Sequence, residues 1–150
     1  MKSSDGSCII ENQFLTVKFD THMRMVSLFD KQNNRESIPE GALSKFKFYE
    51  DQPLFWDAWD IEVYHLEKSW DAMLGSMVVK ESGPLRVVLE AVHPISKTST
   101  LTQRVFFDVM SRVVEFDCHV DWNENRKCLV RNLLLNGGDW PHSNTTNSRS

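Results

Sequence analysis

A surplus of basic charge, an export signal and any long apolar run are all missing from this chain, and each absence removes a class of function. Lysine and arginine together number 17 against 21 aspartates and glutamates, a formal charge of −4. A binder of nucleic acid concentrates positive charge on its surface, so polyanions are disfavoured as partners. No apolar run approaches the roughly 18 residues of a membrane-spanning helix, and Met1 to Ser7 lacks the apolar segment of a signal peptide. The expectation is a protein that stays where it is made, in the cytoplasm, without membrane or nucleic-acid partners. Cysteine is scarce as well. Cys8, Cys118 and Cys128 are odd in number and form no C-x-x-C pair, so reduced thiols are expected rather than a disulfide framework or a zinc cage. Nucleophile-elbow, phosphate-loop, H-E-x-x-H and dinucleotide-binding motifs are absent too, as are internal repeats. The Asn144-Thr145-Thr146 triplet fits a glycosylation acceptor but has no export signal to make it one.

What is present is the composition of one globular domain, 41% hydrophobic and 25% charged. A chain of this size buries about 68–70% of its unfolded surface. Leu15, Val17 and Phe19 alternate with Thr16, Lys18 and Asp20, the period-2 pattern of a half-buried strand. Thr21-His22-Met23 connects it to a second apolar run, Arg24 to Asp30, which predicts a hairpin. A polar turn spans Asp30 to Glu36, and irregular chain around Pro39 and Gly41 leads to a short strand at Phe46 to Tyr49. Met77 to Lys80 and Leu85 to Val92 predict another hairpin across Ser82-Gly83-Pro84, with Leu85, Val87, Leu89 and Ala91 on one face. Thr98 to Val109 reads as a long strand. Val114, Phe116, Cys118, Val120 and Trp122 then form an apolar stripe opposite Glu115, Asp117, His119 and Asp121. Short strands at this spacing, without helical periodicity, predict a mainly β protein, an antiparallel β-sandwich or part of one. Residues 1–7 are expected to be an irregular, disordered leader, 8–129 the domain, and 130–150 a polar, disordered tail.

One stretch fits neither period. Between Glu50 and His65 lie five carboxylates (Glu50, Asp51, Asp57, Asp60, Glu62), Trp56, Trp59 and Tyr64, with Trp-Asp recurring after three residues. This predicts an irregular loop that enters a strand near Ile61 and runs to Glu67. An indole face packs against the C–H face of a sugar and adjacent carboxylates accept its hydroxyl protons, so Trp56, Asp57, Trp59 and Asp60 are the candidate substrate-binding residues. The same residues also suit a purely structural role, tryptophans anchoring a sheet edge and aspartates capping turns. Asp57 and Asp60 as a glycosidase acid–base pair would need a set carboxyl separation that loop spacing does not define. The row Glu115, Asp117, His119, Asp121 carries metal-compatible side chains. Alternate residues of a strand stand nearly 7 Å apart, however, so a solvated face with a charge partner is expected and no metal or catalytic group is assigned. His22, His65, His93 and His142 stand alone.

The run Phe46-x-Phe48-Tyr49-Glu50-Asp51-x-Pro53-x-x-Trp56-Asp57-Ala58-Trp59-Asp60-x-Glu62-x-Tyr64-His65-Leu66-Glu67 resembles the segment opening the C-terminal β-domain of cytosolic and vacuolar class II α-mannosidases, glycoside hydrolase family 38. Asn12-x-Phe14, the Asp30-Lys31 turn and Val120-Asp121-Trp122-x-Glu124-x-x-Lys127 resemble flanking pieces, so the similarity covers about Cys8 to Leu129. The resemblance implies a galactose-mutarotase-like sandwich from a retaining enzyme that releases α-linked mannose from oligosaccharides by means of an aspartate nucleophile, a second acid and a zinc ion. Those groups belong to a preceding barrel that nothing here matches. It implies a fragment supporting that barrel, inactive alone and without its own cofactor, in the cytoplasm or, for the parent, a vacuole or lysosome-like compartment. A free-standing carbohydrate-binding module and a nonfunctional truncated product, self-associating through exposed sheet edges, stand as alternatives. Met23 replaces a turn glycine of the family and would be strained if its φ is positive. After Leu129 the family pattern stops, which reads as a changed frame, a splice end or a gene-model error.

Overall fold

A computed structural model describes residues 2–4, 6–39, 45–51 and 66–132, and among them every paired strand is antiparallel and no α-helix occurs. The first sheet is a meander of β1 (Lys2–Ser4), β2 (Ser7–Glu11), β3 (Leu15–Phe19), β4 (Met25–Asp30) and β5 (Arg35–Glu36), in that order. The second contains β8 (Ser76–Ser82), β9 (Arg86–Pro94), β10 (Thr100–Asp108) and β11 (Val114–Asp121), again with chain neighbours paired. A third, small sheet sets β6 (Lys45–Glu50) between β7 (Ser69–Asp71) and β12 (Lys127–Asn132).

Alternation decides which faces meet. In β3, Leu15, Val17 and Phe19 are buried as expected, and Cys8 and Ile10 of β2 join them. From the second sheet come Leu89 and Ala91 of β9 with Val105 and Phe107 of β10, and these side chains form one core cluster with those of β2 and β3. The two faces therefore pack as a sandwich, each fully buried aliphatic or aromatic side chain contributing on the order of 1.5–3 kcal/mol. The inward row follows the ladder: Phe107 opposes Val87, Val105 opposes Leu89, Gln103 opposes Ala91 and Leu101 opposes His93. Leu85, expected on that face, lies before the strand and is 74% exposed. The stripe on β11 is only partly covered, because β11 is an edge strand in this sheet.

Other strands depart from expectation. The leader is not irregular where described: Lys2 to Ser4 pair with β2. The two-residue alternation of Cys8 and Ile10 was too short to register as a period, and Ile9 on the opposite face masks it. Beyond the expected domain end, β12 continues through Asn132 against β6. Of the strand expected from Ile61 to Glu67, residues 61–65 lie outside the described residues, and Leu66 and Glu67 form a turn of 3₁₀ helix.

Side chains fasten one end of the sandwich. Asn12, 7% exposed, donates from Nδ2 to the Asp108 carbonyl at 2.9 Å and the Ser111 carbonyl at 2.7 Å. Its Oδ1 accepts from the amides of Phe14 at 2.9 Å and Leu15 at 2.8 Å. One side chain thus ties the β2–β3 turn of the first sheet to the β10–β11 turn of the second. Arg112 adds a second link, its guanidinium 2.9 Å from Asp30 and over the Phe14 ring. In the β3–β4 turn the Asp20 carboxylate accepts from the His22 and Arg24 amides at 2.9 and 3.0 Å and pairs with the Arg24 guanidinium at 2.6 Å. Met23 there has φ +57° and is only 3% exposed.

Two measurements probe this scaffold. Asn12→Ala strands buried carbonyl and amide groups, each worth about 1–3 kcal/mol, and should cost about 2–4 kcal/mol in urea unfolding. A loss below about 0.5 kcal/mol would show that the tie between the sheets is dispensable. Met23→Gly relieves left-handed strain of about 1 kcal/mol but empties a buried site worth about 2–5 kcal/mol, so the variant should be less stable than the parent. A more stable Met23→Gly would mean that strain outweighs burial.

Candidate functional site

Trp56, Asp57, Trp59 and Asp60 lie within 52–65, outside the described residues, and so does the proposed acid–base pairing of Asp57 with Asp60. What is described is the frame that carries this segment. Strand β6 leads in and β7 leads out, and the two pair: Tyr49 opposes Ser69, Phe48 opposes Trp70 and Lys47 opposes Asp71. Above them the Glu50 amide donates to the Lys68 carbonyl at 3.0 Å, and the Asp51 amide donates to the Arg126 carbonyl at 2.8 Å. The two ends of the intervening segment are thus held on paired strands.

The base of this frame is a compact set of ion pairs and rings. Phe48 is fully buried in β6, and its ring centroid is 6.1 Å from that of Trp70. The Lys127 ammonium lies 5.9 Å over the indole, so Trp70 is held between an apolar ring and a cation. Lys68 pairs with Glu50 at 2.9 Å. Lys127 also pairs with Glu124, whose side chain is 8% exposed. The Lys127 ammonium, helped by the nearby Ser96 and Ser99 hydroxyls and opposed by burial, holds the Glu124 carboxyl down to about 2. Ser99, itself buried, accepts from the Asn123 amide at 2.8 Å, and Asn123 Nδ2 donates to the Thr98 carbonyl at 2.9 Å. The β11–β12 connection is thereby fixed on the β9–β10 connection beside the loop base.

This gives the run from Val120 to Lys127 a physical role that its spacing alone did not disclose. Glu124 and Lys127 are three residues apart, but the turn between them, with Arg126 at φ +55°, folds them together under Trp70. Trp70 lies on β7, a strand too short to show alternation. Of the described carboxylates at the base, Glu50 and Glu124 each pair with a lysine, and Asp51 is buried at 6% exposure. The row Glu115, Asp117, His119, Asp121 lies on the outer face of the second sheet, where Lys80 and Arg104 both pair with Glu90 at 3.3 and 2.9 Å and the Asp117 charge also acts on Arg104. Among the described residues no three histidine, cysteine or acidic side chains come close enough to hold a metal ion. Nor is any described helix long and apolar enough to cross a membrane.

The ion pair at the base sets a pH response. A carboxyl lowered from 4.5 to about 2 in the folded state stabilises the fold above its unfolded pKa, and the contribution disappears as pH falls from 4.5 toward 2. Glu124→Gln should flatten that part of the acid limb in urea midpoints measured from neutral pH down to about pH 3. An unchanged acid limb would mean that the pair does not hold the loop base.

Comparison with known proteins matches this frame. Residues 10–134 fit the family model described as glycosyl hydrolases family 38 C-terminal domain, a match that runs past Leu129, where the resemblance was expected to stop. The chain is 36% identical over 133 residues to alpha-mannosidase G of Dictyostelium discoideum, covering 84% of this chain and 12% of that protein. It is 38% identical over 132 residues to alpha-mannosidase 2C1 of Homo sapiens and of Mus musculus, covering 86% of this chain and 13% of each. The sandwich, the loop frame and these likenesses agree that the chain belongs to the C-terminal domain family of glycosyl hydrolases family 38.

Proposed function

We propose that this chain is β-domain support for a retaining α-mannosidase, inactive alone, whose 52–65 segment contributes a wall of the mannoside groove. The observation that carries the proposal is the likeness to alpha-mannosidases, of which the chain spans only 12–13%. In this reading Trp56 and Trp59 stack on mannose rings and Asp57 and Asp60 accept hydroxyl protons. The nucleophile, the acid and the zinc ion belong to a catalytic barrel on other polypeptide, against which this domain packs. The mannose-bearing oligosaccharide, the cytoplasmic location and any self-association through sheet edges are parts of the same proposal.

In a full-length family member, substitution to alanine at the positions matching Trp56 and Asp60 should lower kcat/KM for mannosides by about tenfold or more, with the melting temperature within about 2 °C of the parent. Unchanged kinetics with a lowered melting temperature would return the segment to a structural role. The 150-residue chain alone should not hydrolyse aryl mannosides. Tight calorimetric binding of mannose oligosaccharides by the isolated chain would instead support a free-standing carbohydrate-binding module.

A further inference from the structure

A strand that ends a sheet exposes a row of backbone donors and acceptors, and most such strands here are protected against a partner. β1 and β7 have three residues each and β5 has two, too few to receive a long strand. In β8 the ladder shifts register between Val79 and Glu81, an irregularity that turns an edge away. β12 carries Lys127 and Arg131, and cations on an edge discourage pairing. β11 differs. Among the described residues it has β10 on one side and no neighbour on the other. Its eight residues hold an unbroken register with β10, from Asp121 opposite Thr100 to Val114 opposite Phe107, and include neither proline nor lysine. Over roughly 27 Å, every second residue turns its N–H and C=O away from β10.

The inner row of β11 is unfinished. Val114 and Phe116 pack against the core, and the Arg131 guanidinium lies 3.7 Å over the Phe116 ring. Cys118, next in that row, is exposed, and Val120 after it is half-buried. The outer row holds Glu115, Asp117, His119 and Asp121, all exposed. Arg104 of β10 stands opposite Asp117 and feels its charge, but its guanidinium is bonded to Glu90 at 2.9 Å. Asp121 accepts from Asn123 Nδ2 at 3.1 Å, a neutral donor. The outer row therefore stays predominantly negative.

Like charges opposite one another on neighbouring strands repel. A second β11 in that place would set acid against acid, whereas a strand with basic side chains on the same face would find partners. We propose that the open edge of β11 receives a further strand, alternating apolar and basic residues, from polypeptide of a longer enzyme outside this chain. The origin of that strand rests on the reading of the chain as β-domain support. The alpha-mannosidases it is similar to are matched over only 12–13% of their length, which leaves ample polypeptide to supply one. The apolar side chains of the added strand close the sandwich over Cys118 and Val120, and the basic ones lie against Glu115, Asp117 and Asp121.

Amide hydrogen exchange tests whether the edge is covered. In the 150-residue chain the amides of β11 that face away from β10 should exchange at least about tenfold faster than those of β10. In a full-length family member the matching positions should be as slow as β10. Fast exchange there would overturn the docking, whatever the groove-wall substitutions do to mannoside kinetics; slow exchange with unaltered kinetics would keep the docking and remove the wall. Slow exchange already in the 150-residue chain would mean that its own residues or a second copy cover the edge, which also overturns the proposal. The chemistry of the partner is read with two synthetic nine-residue peptides, one alternating valine with lysine and one valine with glutamate. By fluorescence anisotropy the lysine peptide should bind the 150-residue chain at least about tenfold tighter. Glu115→Lys with Asp117→Lys should abolish that preference, and Glu11→Lys with Glu67→Lys, the same charge change at exposed residues off β11, should retain it. Equal binding of the two peptides, or equal loss of preference in both double variants, would overturn the site.

Discussion

Two apolar sheet faces attract each other without preferring one alignment, since burial depends on area and not direction. The Asn12 side chain supplies the direction. It joins the β2–β3 turn to the β10–β11 turn through four hydrogen bonds, to the Asp108 and Ser111 carbonyls and from the Phe14 and Leu15 amides. With that end fixed, Val17 and Phe19 meet Leu89 and Val105 in one cluster, and the far end of the second sheet, Leu101 and His93, is left to face the third sheet. Every feature described beyond the core depends on that alignment.

The third sheet divides the chemistry of the molecule between its two ends. At the Glu50 end of β6, Lys68 pairs with Glu50 and Lys127 with Glu124, and Lys127 also lies over the Trp70 indole beside Phe48. At the Lys45 end charges are paired as well, Lys45 with Asp71 and Arg24 with Asp20, and the buried His93 ring packs against Phe46 with its Nδ1 on the Met73 carbonyl.

Membership of the C-terminal domain family of glycosyl hydrolases family 38 bears on how these ends are understood. The described side chains are of two kinds, those that hold the sheets together and those left uncovered. Asn12 and Glu124 are of the first kind, each engaged on several sides. Leu85, Met110 and Val113, at 74%, 73% and 64% exposure, leave apolar surface uncovered at the Asn12 end of the sandwich.

By itself the sequence located β3, β4, β9, β10 and β11, and in β3 and most of β9 the buried face as well, because alternation over five or more residues leaves one arrangement that hides the apolar side chains. It also determined the family, through the run from Phe46 to Glu67, and located the strained turn at Met23. Short strands such as β1, β2 and β7 escaped it, since their stability comes from a neighbour's hydrogen bonds and not from their own pattern. Only tertiary structure brought Lys127 onto Trp70, Asn12 onto Ser111, and His93 beside Arg131. These pairs are distant in the chain or hidden in a turn, and their meeting is set by how the sheets stack, which no local spacing encodes.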